Sequence, residues 1–139
     1  LSSFSELKSL RNNVDEEILK ENQDKRIKQF LEAHFSKKGR AGKPVIIIKG
    51  FKGRFIHTES FTVAFWEIDA GSELPLHSHF HEQTTQVTEG KFEMTINGET
   101  NIFSPGTILS IPSDIAHKGR ALTNCKITDV FSPVREDYK

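Results

Sequence analysis

The sequence is poor in the residues that most readily betray a mechanism. Cys, Met, Trp and Tyr occur once each in 139 residues. A lone Cys125 cannot close an internal disulfide, so no disulfide framework holds this chain, which fits a reducing compartment. Neither sign of charge is in excess: Lys plus Arg and Asp plus Glu each number 19, for a formal net charge of zero. With no basic patch interleaved with aromatics, nucleic acid is not an expected partner. No apolar run approaches the roughly 20 residues that cross a bilayer, and no signal peptide is recognisable. The expectation is a cytoplasmic protein with no membrane partner. Internal repeats and low-complexity tracts are also missing. What is present suffices for one domain with a real core, and Phe, at 11 copies, is its main aromatic.

Composition changes near Gly39–Pro44, from charged and helix-like to β-branched and aromatic. Ser3 with Glu6 and Asn13 with Glu16 have capping-box spacing. Leu7, Leu10, Val14 and Ile18 recur at helical intervals, as do Ile27, Phe30, Leu31 and His34. Lys37 and Lys38 suit a helix C-terminus and Gly39 its stop. The pattern predicts a helical extension over residues 1–43, as one short and one longer helix or a broken pair, packing an apolar stripe on the body. Residues 44–139 are then the main domain.

From Pro44 the signals are those of strands. Val45–Lys49 is a short apolar run. Ser60–Ile68 sets Phe61, Val63 and Phe65 on one face and Ala64, Trp66 and Ile68 on the other, which predicts a strand covered on both sides. Lys91–Ile96 alternates Phe92, Met94 and Ile96 with polar residues, and Asn97-Gly98 is a two-residue hairpin signal. Ser104-Pro105-Gly106 marks another turn, followed by strands over Thr107–Ile111 and Leu122–Phe131. Many short strands with regular turns mean an all-β sandwich or barrel.

Within that pattern His77, His79 and His81 fall at every second position. If one strand carried all three, they would share a face. Each imidazole brings two polar nitrogens that need partners when buried, and neutral imidazole is the commonest protein metal ligand. The run points to a metal site in a β-structure. On Thr123–Phe131, Cys125, Ile127, Asp129 and Phe131 share a face; a carboxylate facing a barrel interior wants a cation, a metal-bound water or a catalytic task. Cys125 reads as a small buried filler.

Two spaced motifs then make the chain resemble a known family. Gly71, five residues, His77-Ser78-His79, three residues, Gln83, six residues and Gly90 is similar to the first cupin motif. Gly106, five residues, Pro112-Ser113-Asp114, two residues and His117 is similar to the second, and 15 residues separate Gly90 from Gly106. The resemblance implies a double-stranded β-helix (jelly roll) holding one divalent metal through His77, His79, Gln83 and His117, with nickel, zinc, iron(II) or manganese as the ion. Gln83 stands where the family usually has glutamate, Asp114 where it has glycine and Ala121 where it has asparagine. Three imidazoles and an amide leave a divalent ion its full charge, which favours Lewis-acid action over redox work.

More narrowly, Pro75–Gln83 and Asp129–Tyr138 resemble the pectin-degradation cupins called KdgF. That resemblance implies linearisation of 4,5-unsaturated uronate monosaccharides released from pectin or alginate, with Asp129, Phe131 and Arg135 as active residues. Asp129 would shuttle a proton and Arg135 would pair with the sugar-acid carboxylate. Phe131, with Phe92, would line the pocket. The segment up to Lys43 is longer than that family's. A homodimer is expected, since such barrels commonly pair. The alternatives are a non-catalytic sugar-acid binding or sensing cupin and a metal-dependent dioxygenase.

Overall fold

The computed structural model describes residues 20–27 and 43–139. The chain divides into two compact units, Leu1–Arg40 and Ala41–Lys139. In the first, residues 20–27 are helical and solvent-exposed. The two capping boxes, the stripe through Leu7–Ile18 and the stop at Gly39 lie outside the described residues. No helix among those described is long and apolar enough to cross a membrane.

The second unit is built of β-strands. In chain order they are β1 (Val45–Ile48), β2 (Phe51–His57), β3 (Thr62–Ile68), β4 (Glu73–His77), β5 (Glu82–Glu89), β6 (Phe92–Ile96), β7 (Glu99–Phe103), β8 (Ile108–Ile111), β9 (His117–Ala121) and β10 (Cys125–Ser132), then a short 3₁₀ turn at Glu136–Tyr138. Six strands form one sheet in the order β1-β2-β3-β10-β5-β8, and four form the other in the order β4-β9-β6-β7. Every pairing is antiparallel. This is the jelly roll that the motifs imply.

Alternation explains the core. On β10, Cys125, Ile127, Asp129 and Phe131 are buried while Lys126, Val130 and Ser132 are exposed. Phe51, Trp66, Ile68, Val87, Phe92 and Met94 meet these side chains from other strands. Edge-to-face contacts join Phe51 to both Trp66 and Phe92, a geometry that aromatic quadrupoles favour. β3 departs from expectation. Its Ala64, Trp66 and Ile68 face the core, but Phe61 and Phe65 remain 38% and 42% exposed. An antiparallel sheet needs only one covered face, so two apolar faces did not require two covers.

Turns fix the registers. Asn97 and Gly98 both have positive φ, 49° and 81°, as a type I′ hairpin between β6 and β7 demands. Gly90, between β5 and β6, has φ 81°, and a Cβ there would collide with the Asn124 carbonyl oxygen. Gly106 has φ 91° but open space around it. The contrast is measurable by urea denaturation. Gly106→Ala should cost about 1 kcal/mol, the left-handed backbone penalty alone. Gly90→Ala should cost about 3 kcal/mol, because overpacking adds to that penalty. Equal costs at the two sites would remove the steric explanation.

Candidate metal centre

β4 and β9 pair so that His77 stands opposite His117. β4 ends at His77, and residues 78–81 leave the sheet before β5 begins at Glu82. The three alternating histidines therefore do not share one strand face. His79 turns in from the loop and His81 turns away, buried, with Nε2 donating to the Val134 carbonyl at 3.2 Å. A hydrogen bond from the Asp114 N–H to the His79 carbonyl, 2.8 Å, ties this loop to the turn before His117. Asp114 has φ 63°. That left-handed backbone is what a motif glycine supplies, and Asp is among the few other residues that tolerate it.

One ring nitrogen from each of His77, His79 and His117 lies within 4.8 Å of the other two. Their orientation follows from their other nitrogens. Nδ1 of His77 contacts the Pro75 carbonyl at 2.7 Å, Nδ1 of His79 the His81 carbonyl at 3.0 Å and Nδ1 of His117 the Ile115 carbonyl at 2.9 Å. A carbonyl only accepts, so each Nδ1 carries a proton, and a ring in its neutral form then presents an Nε2 lone pair. Backbone partners that fix the tautomer in this way are the usual support of a metal-binding histidine. Burial, helped by the Arg135 charge, pushes His79 down to about 4. Burial also lowers His117. Protons thus compete weakly for these two rings. Among the described residues, the buried Nε2 of His117 has no hydrogen-bond partner, and neither has the Nδ1 of His81.

Gln83 adds a fourth candidate donor, an oxygen. Its Nε2 donates to the Thr85 hydroxyl at 2.9 Å and to Asp129 Oδ1 at 3.2 Å. Its Oε1 then lies 3.1 Å from His79 Nε2. With the His79 proton on Nδ1, two lone pairs face each other across that gap, an arrangement that a bound cation would satisfy; a proton on Nε2 makes it a hydrogen bond instead. Two donors about 2.1 Å from one ion and at right angles to it stand about 3 Å apart. The residues fit a divalent metal: the three imidazoles could hold it, and the Gln83 carbonyl is placed as a further donor.

Asp129 sits behind this group, opposite Thr85 on β5 and Ala64 on β3. It accepts from Thr85 Oγ1 at 2.6 Å, Gln83 Nε2 at 3.2 Å and Trp66 Nε1 at 2.9 Å. Burial raises its carboxyl to about 6 despite those three donors. A group that holds its proton more tightly folded than unfolded stabilises the fold below the ordinary value of 3.8 and loses that contribution as pH rises through about 6. In chelator-treated protein, wild-type stability should therefore fall relative to Asp129→Asn by on the order of 2–3 kcal/mol between pH 4 and 7. Urea titrations across that range check it, and parallel profiles would contradict it.

Phe131 and Arg135 line the same cavity as the histidines and Asp129. The Arg135 guanidinium is bonded to Asp137, not to Asp129, and the residue as a whole is 7% exposed. Phe92 is 1% exposed and belongs to the wall of the cavity, where it also packs against Phe51. Sequence reasoning had no role for Thr85, Trp66, Asp137 or Tyr138. Thr85 was within reach, since it shares a strand face with Gln83 two residues earlier.

The sequence model of the cupin domain matches residues 64–131. KdgF from a Halomonas species superimposes with a TM-score of 0.67 at 28% identity, covering 70% of this chain and 91% of that one. A RmlC-like cupin from Shewanella frigidimarina gives 0.67 at 26% identity, covering 70% and 88%. An uncharacterised protein of Streptomyces coelicolor is 25% identical over 81 residues, 58% of this chain and 77% of that one.

Proposed function

We propose that this chain, which matches the cupin domain model over residues 64–131 and resembles KdgF, is a metal-dependent enzyme opening the ring of 4,5-unsaturated uronate monosaccharides. One observation carries the reading: a buried carboxyl raised to about 6, Asp129, shares a cavity with three converging imidazoles and the Arg135 guanidinium. His77, His79, Gln83 and His117 are the proposed metal ligands. When bound, a divalent ion would supply Lewis-acid polarisation of a carboxylate or ring oxygen.

The reaction is an isomerisation. The hemiacetal loses its hydroxyl proton, the bond from C1 to the ring oxygen breaks to leave an aldehyde, and the enolate released at C5 is protonated at C4. Asp129 is the proposed carrier of that proton on its carboxylate oxygens, its pKa being close to the working pH. Thr85, Gln83 and Trp66 fix those oxygens, so orientation costs nothing further when substrate binds. Arg135 pairs with the uronate carboxylate, and Phe131 lies along the sugar face. Opening consumes the conjugated acid, so its ultraviolet absorbance decays. Metal-loaded protein should accelerate that decay in lyase-generated monomer; a rate equal to buffer would end the assignment.

A non-catalytic sugar-acid module is the second reading. It is favoured by the same three hydrogen bonds to Asp129, which a structural carboxylate would also make. It predicts thermal stabilisation by the sugar acid with no decay of absorbance.

A further inference from the structure

The C-terminal turn is built around a single side chain. Arg135 is fixed through its backbone from two directions. Its N–H donates to the buried Thr62 hydroxyl at 2.9 Å, and the carbonyl just before it accepts from His81. Its guanidinium lies 4.6 Å from the Phe131 ring centroid and 4.0 Å from that of Tyr138. Tyr138 is itself held by the rings of Phe55, Trp66 and Phe131, at centroid separations of 4.9, 5.9 and 5.8 Å. Asp137 then takes one edge of the fork, accepting from Nε at 2.9 Å and from Nη2 at 2.7 Å.

A guanidinium has five N–H donors. The Asp137 pair uses two, the Tyr138 hydroxyl also engages the guanidinium, and the donors left over sit on Nη1 and Nη2. These two nitrogens form the end-on edge that binds a planar carboxylate in bidentate fashion. Asp137 is 57% exposed and Arg135 only 9% by side chain. The acid thus reaches in from solvent to orient a buried cation, and does little packing of its own. Its two parallel bonds to Nε and Nη2 fix the direction of the guanidinium plane.

We propose that Asp137 and Tyr138 are positioning residues that turn Arg135 into a preorganised receptor for a ligand carboxylate, Asp137 holding the Nε edge and Tyr138 the plane. This rests on the sugar-acid reading above. It predicts that removing the Asp137 charge weakens anion binding, although the site becomes more positive. Were Asp137 only a neutralising partner, its removal would tighten anion binding.

Two measurements on the full-length, metal-loaded protein test this. The first is hydrogen exchange at the Arg135 Nε–H in ¹⁵N-labelled protein, the signal being assigned by its loss in Arg135→Lys. The second is affinity for galacturonate, a saturated sugar acid, by calorimetry. Asp137→Ala should speed exchange and weaken galacturonate binding, each about tenfold. Asp137→Asn, which keeps one acceptor, should fall between. Tyr138→Phe, which keeps the ring but loses the hydroxyl's contact with the guanidinium, should bind between wild type and Tyr138→Ala. Combining Asp137→Ala with Arg135→Gln should weaken binding no more than Arg135→Gln alone, because the two act in series. Unchanged or tighter binding in Asp137→Ala, or a wild type with a protected Nε–H and no affinity for galacturonate, would overturn the proposal. Intact galacturonate binding without turnover of the unsaturated sugar would strike the ring-opening activity alone.

Discussion

His117→Ala is expected to lower the affinity for a divalent metal at least 100-fold, with the barrel still folded. Deleting a supporting partner of a metal ligand commonly costs 10–100-fold, and deleting the ligand should cost more. His117 is the best-placed of the three rings. It is 1% exposed, its Nδ1 proton is committed to the Ile115 carbonyl, and its Nε2 has no partner among the described residues. A buried nitrogen left without a partner costs about 1–3 kcal/mol, and an ion at the centre would relieve that. The same titration against a chromophoric chelator should find His81→Ala within about threefold of wild type, since that ring bonds the Val134 carbonyl instead. A His81 variant that loses metal as completely as the His117 variant would relocate the site.

Asp129→Asn is expected to reduce turnover of unsaturated uronate by 10²–10⁴-fold while retaining the metal. The amide keeps the shape and an acceptor for Thr85, but it cannot carry a proton. Metal retention is the control that separates chemistry from architecture, because Asp129 also anchors the Gln83 amide. If that anchor alone mattered, loss of metal and loss of turnover would move together. Elemental analysis beside the rate measurement distinguishes the two outcomes. Turnover within a few-fold of wild type would return Asp129 to the structural role that its three hydrogen bonds also permit.

Alternation of side chains carried most of what could be read in advance. It placed Asp129 and Phe131 on the inward face of β10, and the Asn-Gly pair located the β6–β7 hairpin. It failed where a strand ends. Nothing in His77-Ser78-His79-Phe80-His81 signals that β4 stops at His77, because the loop keeps the same apparent period. The outward faces of β1 and β3 were misleading in another way. Ile46 is 68% exposed and Phe65 42%, so apolar residues there did not report burial. β7, Glu99–Phe103, is polar along most of its length and has no hydrophobic pattern to detect. The network behind the histidines was hidden because it is assembled across strands. Thr85 and Asp129 are 44 residues apart in sequence, and Trp66 and Asp129 are 63 apart. Only the pairing of β10 with β3 and β5 makes them neighbours. The Asp137 pairing is local, two residues from Arg135, yet sequence spacing gave no reason to prefer it to Asp129.

The most direct test is anomalous diffraction from crystals loaded with nickel or zinc. One peak is expected, about 2.1 Å from Nε2 of His77, His79 and His117 and from Oε1 of Gln83, with the Gln83 amide nitrogen still on Asp129. A peak elsewhere, or an ion held by Nδ1 atoms with Gln83 swung out of reach, would contradict the arrangement from which the chemistry is derived.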